Sequence, residues 1–310
     1  MKSIVYRLAY LTVTFILQSH SLTQSVDKQK RIQRDKKTDL DTSNNDNVIM
    51  LVEMTRHGAR APEKGFMDVP WVKKEYSGEL TSVGQRQHYN LGRIMALKYK
   101  SFFDRGLGHE EYWIRSTDYN RTIMSAFSHM FGLTNELSAD ELPFENENEN
   151  LLPPLSKTFA APPVDFKTAL PGGVVPFPIH TRLRDHEVDM RMFGKTCPNI
   201  KKRVDSVFEK LNEELVGLTS FTNLMTEARK RFNLQNDETF AKNDFWNCWS
   251  IADFMVQDNN NSRTPFVPRS DPFYNRLARC YYIGILYRYK EQDIARIQST
   301  PILNQILDFF

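Results

Sequence analysis

The chain has 310 residues, of which 40% are hydrophobic and 25% charged, and it carries a formal net charge of +3 at neutral pH. This length is sufficient for one large domain or two smaller ones around a substantial buried core. The small net charge, with no basic stripe along any predicted helix, argues against nucleic-acid binding.

Residues 1–21 have the organisation of a secretory signal peptide. Lys2 and Arg7 precede an apolar run over 8–17, and small and polar residues follow it. The run is shorter than the roughly 20 residues of a membrane-spanning helix, so a single membrane anchor is the weaker alternative. We predict cleavage after Ser21, secretion or delivery to a lysosomal or vacuolar lumen, and no stable membrane span after cleavage.

Residues 22–47 are charged, rich in asparagine and nearly free of large apolar side chains, which predicts a disordered linker. Order is expected to begin at residue 48, because residues 48–52 form a continuous apolar run. A run without alternation is typical of a strand buried on both faces, as in a parallel sheet covered by helices.

The following segments alternate between helix and strand. We predict a helix capped by Thr81 or Ser82, a short strand over 112–115, and a second helix capped by Asp118. The apolar stripes expected on these helices are Leu91, Ile94, Met95 and Phe102 in the first and Ile123, Phe127, Met130 and Phe131 in the second. This order predicts an α/β sheet with right-handed crossovers.

The composition changes at about residue 138, where an acidic tract and then several prolines begin. The prolines preclude long regular elements, whereas residues 199–257 again have a mostly helical pattern. We interpret 138–270 as a cap inserted into a catalytic core made of 48–137 and 271–310.

Two helices are predicted in the last part of the core. Residues 274–289 form a buried helix, and Thr300-Pro301 opens a final amphipathic helix, since proline is tolerated in a first turn. The side chains expected on the buried faces are Leu277, Tyr281, Ile285, Leu286, Ile302, Ile306 and Phe309.

The chain contains three cysteines, Cys197, Cys248 and Cys280. A secreted chain favours disulfide formation, and an odd count leaves at least one thiol unpaired. Asn120 and Asn260 begin glycosylation sequons, and Asn260 is the better candidate because it lies in a polar stretch.

The residues suited to chemistry are concentrated in 56–62, Arg-His-Gly-Ala-Arg-Ala-Pro, directly after the first predicted strand. Arg115 ends the second predicted strand, and ligands of α/β sheets bind beyond the carboxyl ends of strands. We expect Arg56, Arg60 and Arg115 to surround the imidazole of His57. Guanidiniums complement phosphate oxygens and stabilise the charge of a phosphoryl-transfer transition state. An imidazole among cations has a lowered pKa, which leaves a ring nitrogen free to attack phosphorus.

The specificity of this signal comes from the whole pattern. A single arginine or histidine on a loop is usually a solvated surface residue. The pattern R-H-G-x-R-x-P has five fixed positions, and a chain of this length contains it by chance about once in ten thousand cases. Arg115 gains support from its neighbours, because it opens a run in which Arg121 and Thr122 follow.

Residues 56–62 resemble the signature of the histidine acid phosphatases, the branch of the histidine phosphatase superfamily that includes prostatic and lysosomal acid phosphatases and phytases. Residues 78–92 and 115–126 resemble the prostatic and lysosomal type, and 178–181 resemble the start of its cap more weakly. The resemblance implies a three-layer α/β/α, phosphoglycerate-mutase-like core with an inserted, mainly helical cap.

The resemblance also implies the chemistry of the site. It implies His57 as the phosphorylated nucleophile, with Arg56, Arg60 and Arg115 binding the phosphate of a small-molecule or lipid phosphomonoester. Neither a metal nor another cofactor is implied, and the formation of a homodimer is left open.

One feature of the family is absent from this sequence. The family carries a later His-Asp pair, whose aspartate protonates the leaving oxygen, and this chain has no His-Asp dipeptide. We interpret the sequence as an acid phosphatase that lacks the C-terminal strands of its core. Asp118, Asp185 and Glu187 are the substitutes considered for the acid, whose loss lowers the rate by about a hundred- to ten-thousandfold.

Two other functions are weighed against hydrolysis. A phosphate- or phospholipid-binding pseudophosphatase would retain the arginines without turnover. A mutase of the same superfamily is disfavoured by the secretory leader and by the R-H-G-x-R-x-P form. The stretch 185–189 resembles a metal site in composition but lacks the His-x-x-x-His spacing of helical zinc sites, so no metal is predicted.

Overall fold

The computed structural model describes residues 48–66, 68–105, 109–134, 143, 167–170, 174–190, 196–289 and 291–308, all within the compact unit 45–310. The predicted signal peptide, the predicted linker and most of the proline-rich part of the predicted cap lie outside the described residues. Within these ranges, no helix is long and apolar enough to cross a membrane.

A small parallel sheet joins two segments that are distant in sequence. Helix α1 spans Ser82–Lys98, α2 spans Lys100–Phe103, strand β1 spans Ile114–Arg115, helix α3 spans Asn120–Leu133, and strand β2 spans Ile179–His180. The two strands pair in parallel, with Ile114 opposite Ile179 and Arg115 opposite His180.

The remaining described elements are mostly helices. Helix α4 spans Pro198–Val216, α5 spans Thr219–Arg231, α6 spans Phe245–Asn261, α7 spans Pro272–Arg288, and α8 spans Gln292–Leu307. They bury a large apolar cluster around α6 and α7 and a smaller one between α4, Phe245 and Ile294. The parallel sheet with its many helices confirms the predicted α/β class and the predicted helical pattern over 199–257.

Helices α1 and α3 pack through small and polar residues. Thr81 caps α1 as predicted, because its hydroxyl accepts a hydrogen bond from Gly84 N at 3.3 Å. Most of the predicted apolar stripe is wrong, since Ile94 and Phe127 are exposed and only Met95 and Met130 are buried. The buried faces are Gly84, His88, Gly92 and Met95 in α1 and Ser125, His129, Met130 and Gly132 in α3. Small side chains let the two helix backbones approach closely. Because these side chains are not large and apolar, the buried faces cannot be recognised from the spacing of hydrophobic residues.

The predicted buried strand at 48–52 is wrong. Among the described residues this segment has no strand partner, and Ile49 is 87% exposed. A strand requires a neighbouring backbone that satisfies its N–H and C=O groups, and in the described part of the chain β1 and β2 form the single sheet. Residues 48–52 therefore have the composition of a buried strand without its hydrogen bonds.

Other predicted boundaries differ by smaller amounts. The strand predicted over 112–115 is limited to the two residues of β1. The N-cap of α3 is Tyr119, with no side-chain hydrogen bond, so the prediction of Asp118 as the cap is wrong. In α7, Leu277 and Tyr281 are buried as predicted, whereas Leu286 is exposed.

The last described helix, α8, begins at Gln292 rather than at Thr300, so its predicted start is wrong. Pro301 lies inside the helix, where it cannot donate the usual backbone hydrogen bond. The Thr300 hydroxyl donates to the Arg296 carbonyl at 2.7 Å and adds a side-chain bond to this turn. Burial of Ile294 in the smaller cluster stabilises the turns before the proline.

A disulfide joins Cys248 in α6 to Cys280 in α7, and Cys197 is a free thiol. This confirms the prediction that one thiol stays unpaired. The bridge holds together the two helices that fill the larger cluster. It also fixes the relative positions of Asp253 and Tyr281, which lie close to the two cysteines in sequence and contact the arginine-rich motif.

The loop 56–62 lies against the first turn of α1 through two glycines. A Cβ atom on Gly58 would overlap the backbone of Gly84, and a Cβ atom on Gly84 would overlap the backbone of Ala59. Thr81 N donates to the Ala59 carbonyl at 3.0 Å and closes the contact. Both glycines are therefore required by the close approach of two backbones.

We expect Gly84→Ala to lower the free energy of unfolding by about 1–3 kcal/mol, because the added methyl group must push the loop away from α1. The matched control is Gly217→Ala, at which the nearest atoms to an added Cβ lie 3.9 Å away. Urea denaturation followed by circular dichroism measures both variants. Equal stability of the two variants would contradict the proposed contact.

Candidate active site

The loop 56–62 is held by side chains from the two helices that flank it. Gln87, His88 and Ser125 of α1 and α3 form hydrogen bonds to the loop backbone at 2.8–3.1 Å. Their partners are the N–H groups of Ala59 and Gly58 and the carbonyl of Arg56. These bonds satisfy the loop's polar groups and fix the direction in which its side chains project.

His57 lies in this loop as a neutral imidazole. Its Nδ1 atom lies 2.8 Å from the Gly58 carbonyl oxygen, which can only accept, so Nδ1 carries the proton and donates. The Nε2 atom therefore holds a lone pair. Burial, together with the charges of Arg56, Arg60 and Arg121, lowers the pKa of His57 to about 3. This confirms the predicted lowered pKa, although burial rather than the cations is its largest cause.

Arg60 is 3% exposed and is bound by Asp253 of α6. Its Nη1 and Nη2 atoms donate to the two Asp253 oxygens at 3.1 and 2.9 Å, and Nη1 also donates to the Ala61 carbonyl at 2.8 Å. Burial disfavours the charged guanidinium, but the Asp253 carboxylate outweighs it and raises the Arg60 pKa above its ordinary value. The buried Nε atom of Arg60 has no hydrogen-bond partner among the described residues.

Arg56 is the exposed guanidinium of the motif. Its Nη2 atom donates to the Tyr281 hydroxyl at 3.2 Å. The Tyr281 ring stacks on Trp249, with centroids 5.9 Å apart, and the neighbouring Cys280 forms the disulfide with α6. Helix α7 therefore orients Arg56, as α6 orients Arg60.

Arg121 of α3 is the third arginine whose charge reaches His57. Its Nη2 atom lies 3.2 Å from Glu63 Oε1, and its Nη1 atom donates to the Gly78 carbonyl at 3.3 Å. Burial lowers the pKa of Arg121, and repulsion by Arg60 and Arg56 adds to the effect. Its Nε atom is buried with no hydrogen-bond partner in the described part of the chain. Repulsion within this group shows that the three guanidiniums form one positively charged cluster.

Arg115 is engaged in a different network. It lies at the end of β1 as predicted, and its guanidinium pairs with Glu187 at 2.9 Å and with Asp189 at 2.5 Å. It also donates to Gln305 of α8 at 3.2 Å. Of the four predicted site residues, the structure thus brings Arg56, Arg60 and His57 together, and it surrounds Arg115 with carboxylates.

The three carboxylates considered as general acids lie in different environments. Glu187 is buried and binds Arg115 with both oxygens at 2.9–3.0 Å. Asp185 is exposed in the 3₁₀ turn Arg184–His186, and Asp118 is half-buried before α3. Among the described residues, no group of three or more histidine, cysteine or acidic side chains could hold a metal ion.

Sequence reasoning missed Asp253, Glu63 and Tyr281 as partners of the arginines. Asp253 could have been found, because it is the first acidic residue in the otherwise apolar middle of α6. A charge in such a run is buried with a partner in most folded proteins. Arg121 follows Arg115 in the same run of the sequence. The spacing of the two arginines does not indicate which of their charges acts on His57.

Comparison with known proteins places the chain in a family. The family model of the histidine phosphatase superfamily (branch 2) matches residues 47–308. Lysosomal acid phosphatase from Xenopus laevis is 25% identical over 81% of this chain and 52% of its own length. Prostatic acid phosphatase from Homo sapiens is 23% identical over 82% of this chain and 59% of its own length.

A third relative is the putative acid phosphatase 5 of Caenorhabditis elegans, 24% identical over 86% of this chain and 55% of its own length. The chain therefore spans little more than half the length of these curated relatives. The match to the family model covers most of the sequence and includes the motif and the helices that hold it. The chain belongs to branch 2 of the histidine phosphatase superfamily.

Proposed function

We propose that this protein hydrolyses phosphate monoesters through a phosphohistidine formed on His57. The observation that carries the proposal is a neutral imidazole with its lone pair on Nε2, beside the charges of three arginines. A pKa of about 3 keeps this nucleophile unprotonated even in an acidic compartment. The relatives named above, which are acid phosphatases, support the same reaction.

The reaction has two steps. The Nε2 lone pair of His57 attacks phosphorus, the ester P–O bond breaks, and its electrons leave with the departing oxygen, which takes a proton from solvent. A water molecule then attacks the phosphohistidine and loses a proton to solvent, the N–P electrons return to Nε2, and inorganic phosphate leaves. Fixed guanidiniums stabilise the negative charge of both transition states without reorganising.

We assign Arg56, Arg60 and Arg121 to the phosphoryl group. The unpartnered Nε atoms of Arg60 and Arg121 and the exposed guanidinium of Arg56 support this assignment. The assignment of Arg115 to phosphate stays a prediction from sequence, and its ion pairs with Glu187 and Asp189 favour Arg121 in that role.

We also propose an oxidising compartment for the mature protein. The disulfide between Cys248 and Cys280 supports secretion or a lysosomal lumen, because such bonds persist outside reducing compartments. This location agrees with the predicted signal peptide and with relatives that are named lysosomal.

His57→Ala is expected to lower kcat for an aryl phosphate by at least about a thousandfold, because it removes the nucleophile. Aryl esters are the suitable substrate, since their leaving oxygen depends least on a general acid. The protein is mixed with ³²P-labelled substrate and quenched rapidly without acid, because acid hydrolyses phosphohistidine. Labelled protein should be detected for the wild type and not for His57→Ala. His180→Ala removes an exposed imidazole and serves as the control. Equal turnover by His57→Ala would exclude the proposal, and phosphate binding without any turnover would favour the pseudophosphatase.

Arg121→Gln and Arg115→Gln are expected to have opposite profiles. Arg121→Gln should lower kcat/KM by about a hundred- to a thousandfold, because it removes a donor to the transition state. Arg115→Gln should chiefly lower stability, by about 3 kcal/mol, because it leaves buried Glu187 without its cation. Steady-state kinetics and thermal denaturation measure the two effects. A larger kinetic loss in Arg115→Gln than in Arg121→Gln would restore the sequence-based assignment.

A further inference from the structure

Glu63 places a carboxylate among the arginines of the candidate site. Its Oε1 atom lies 3.2 Å from Arg121 Nη2 and 3.8 Å from Arg60 Nε. Those guanidiniums belong to the cluster whose charge lowers the pKa of His57. The carboxylate thus occupies the kind of position that an oxygen of a bound phosphate would take.

The two carboxylates that contact this cluster are held very differently. Asp253 is buried, binds both terminal nitrogens of Arg60 and accepts from Glu63 N at 2.8 Å. The Glu63 side chain is 38% exposed, and within the described part of the chain it has a single ion pair closer than 3.5 Å, to Arg121. The backbone of Glu63 is therefore anchored, whereas its carboxylate can rotate into solvent at little cost.

The cluster retains capacity for a further anion. Arg60 Nε and Arg121 Nε are buried donors without hydrogen-bond partners in the described ranges, and leaving a buried donor unpaired is costly. Two carboxylates contact this cluster: Arg60 lies beside both Asp253 and Glu63, and Arg121 pairs with Glu63. Arg56 donates to the Tyr281 hydroxyl instead. A phosphate oxygen at these donors would satisfy groups that Glu63 leaves unsatisfied.

The local backbone leaves room for the carboxylate. Gly78 has a φ of +74°, and a Cβ atom there would lie 3.3 Å from Arg121 Nη1 and 3.4 Å from Glu63 Oε2. Gly78 N donates to the Pro62 carbonyl at 2.9 Å, which fixes this turn beside residue 63. The glycine thus leaves space for the Glu63–Arg121 pair.

We propose that Glu63 is a displaceable internal anion that competes with substrate and product phosphate for Arg121 and Arg60. This inference rests on the proposed function, because it assumes that the arginine cluster receives a phosphoryl group. When phosphate binds, Arg121 loses its charge-assisted hydrogen bond to Glu63 and forms one to phosphate. The net gain in binding free energy at Arg121 is therefore smaller than the free energy of the new hydrogen bond. The exchange lowers the affinity for inorganic phosphate and therefore limits product inhibition.

Glu63→Gln tests the competition, because it keeps the shape of the side chain and removes its charge. The full-length protein is titrated with inorganic phosphate by calorimetry, and KM for an aryl phosphate is measured in parallel. Glu63→Gln should bind phosphate about three- to tenfold more tightly than the wild type, and KM should fall in the same direction. Glu63→Ala is the second variant, with the same expected direction.

The matched control is Glu110→Gln, which removes an exposed carboxylate from the 3₁₀ turn His109–Glu111. It should leave the affinity for phosphate unchanged. If Glu110→Gln increased that affinity as much as Glu63→Gln does, the increase would come from the change in net charge alone, and the inference would be overturned. Unchanged or weaker phosphate binding by both Glu63 variants would also overturn it.

The outcomes separate this inference from the proposed function. Tighter phosphate binding by the Glu63 variants without any turnover would support the inference and reject hydrolysis. Hydrolysis with unaltered phosphate affinity would reject the inference and leave hydrolysis standing. No phosphate binding by the wild type or either variant would reject both the internal anion and the phosphate site.

Discussion

The ion pair between Arg60 and Asp253 is the interaction on which the site depends. Both side chains are almost fully buried, and a buried ion pair offsets its desolvation only with close geometry and additional hydrogen bonds. Asp253 meets this condition by binding both terminal nitrogens of Arg60 and the backbone of Glu63. The pair therefore fixes the end of the motif loop to α6, and the disulfide fixes α6 to α7.

This arrangement restrains the three arginines differently. The terminal nitrogens of Arg60 are bound by Asp253, and its buried Nε has no hydrogen-bond partner among the described residues. Arg56 and Arg121 reach the same region from the start of the loop and from α3, each with a weaker restraint. Asp253 and Glu63 offset part of the repulsion within this cluster, and under the proposed function a phosphoryl group would offset the rest. The neutral His57 lies beside these charges.

The family and the lowered pKa of His57 could be predicted because they depend on residue type and short spacing. The Thr81 cap could be predicted for the same reason. The lack of a strand at 48–52 could not be predicted, because pairing depends on a neighbouring strand that the sequence does not show. The ion pairs of Arg115 could not be predicted either, because Glu187 and Asp189 are remote from it in sequence. Helix contacts made through glycine and histidine have no hydrophobic periodicity, so their buried faces were misassigned.

The protonation state of the His57 ring decides whether this side chain can act as the nucleophile. Long-range ¹H–¹⁵N correlation spectra, with His57→Gln used to assign the signal, report which ring nitrogen carries the proton as pH is lowered. We predict a proton on Nδ1, an unprotonated Nε2 at neutral pH, and a titration midpoint at about 3. Because the pKa is lowered, the nucleophilic form persists until the pH falls through that value. A midpoint near the ordinary histidine value of about 6.5, or a proton on Nε2 at neutral pH, would contradict the central claim.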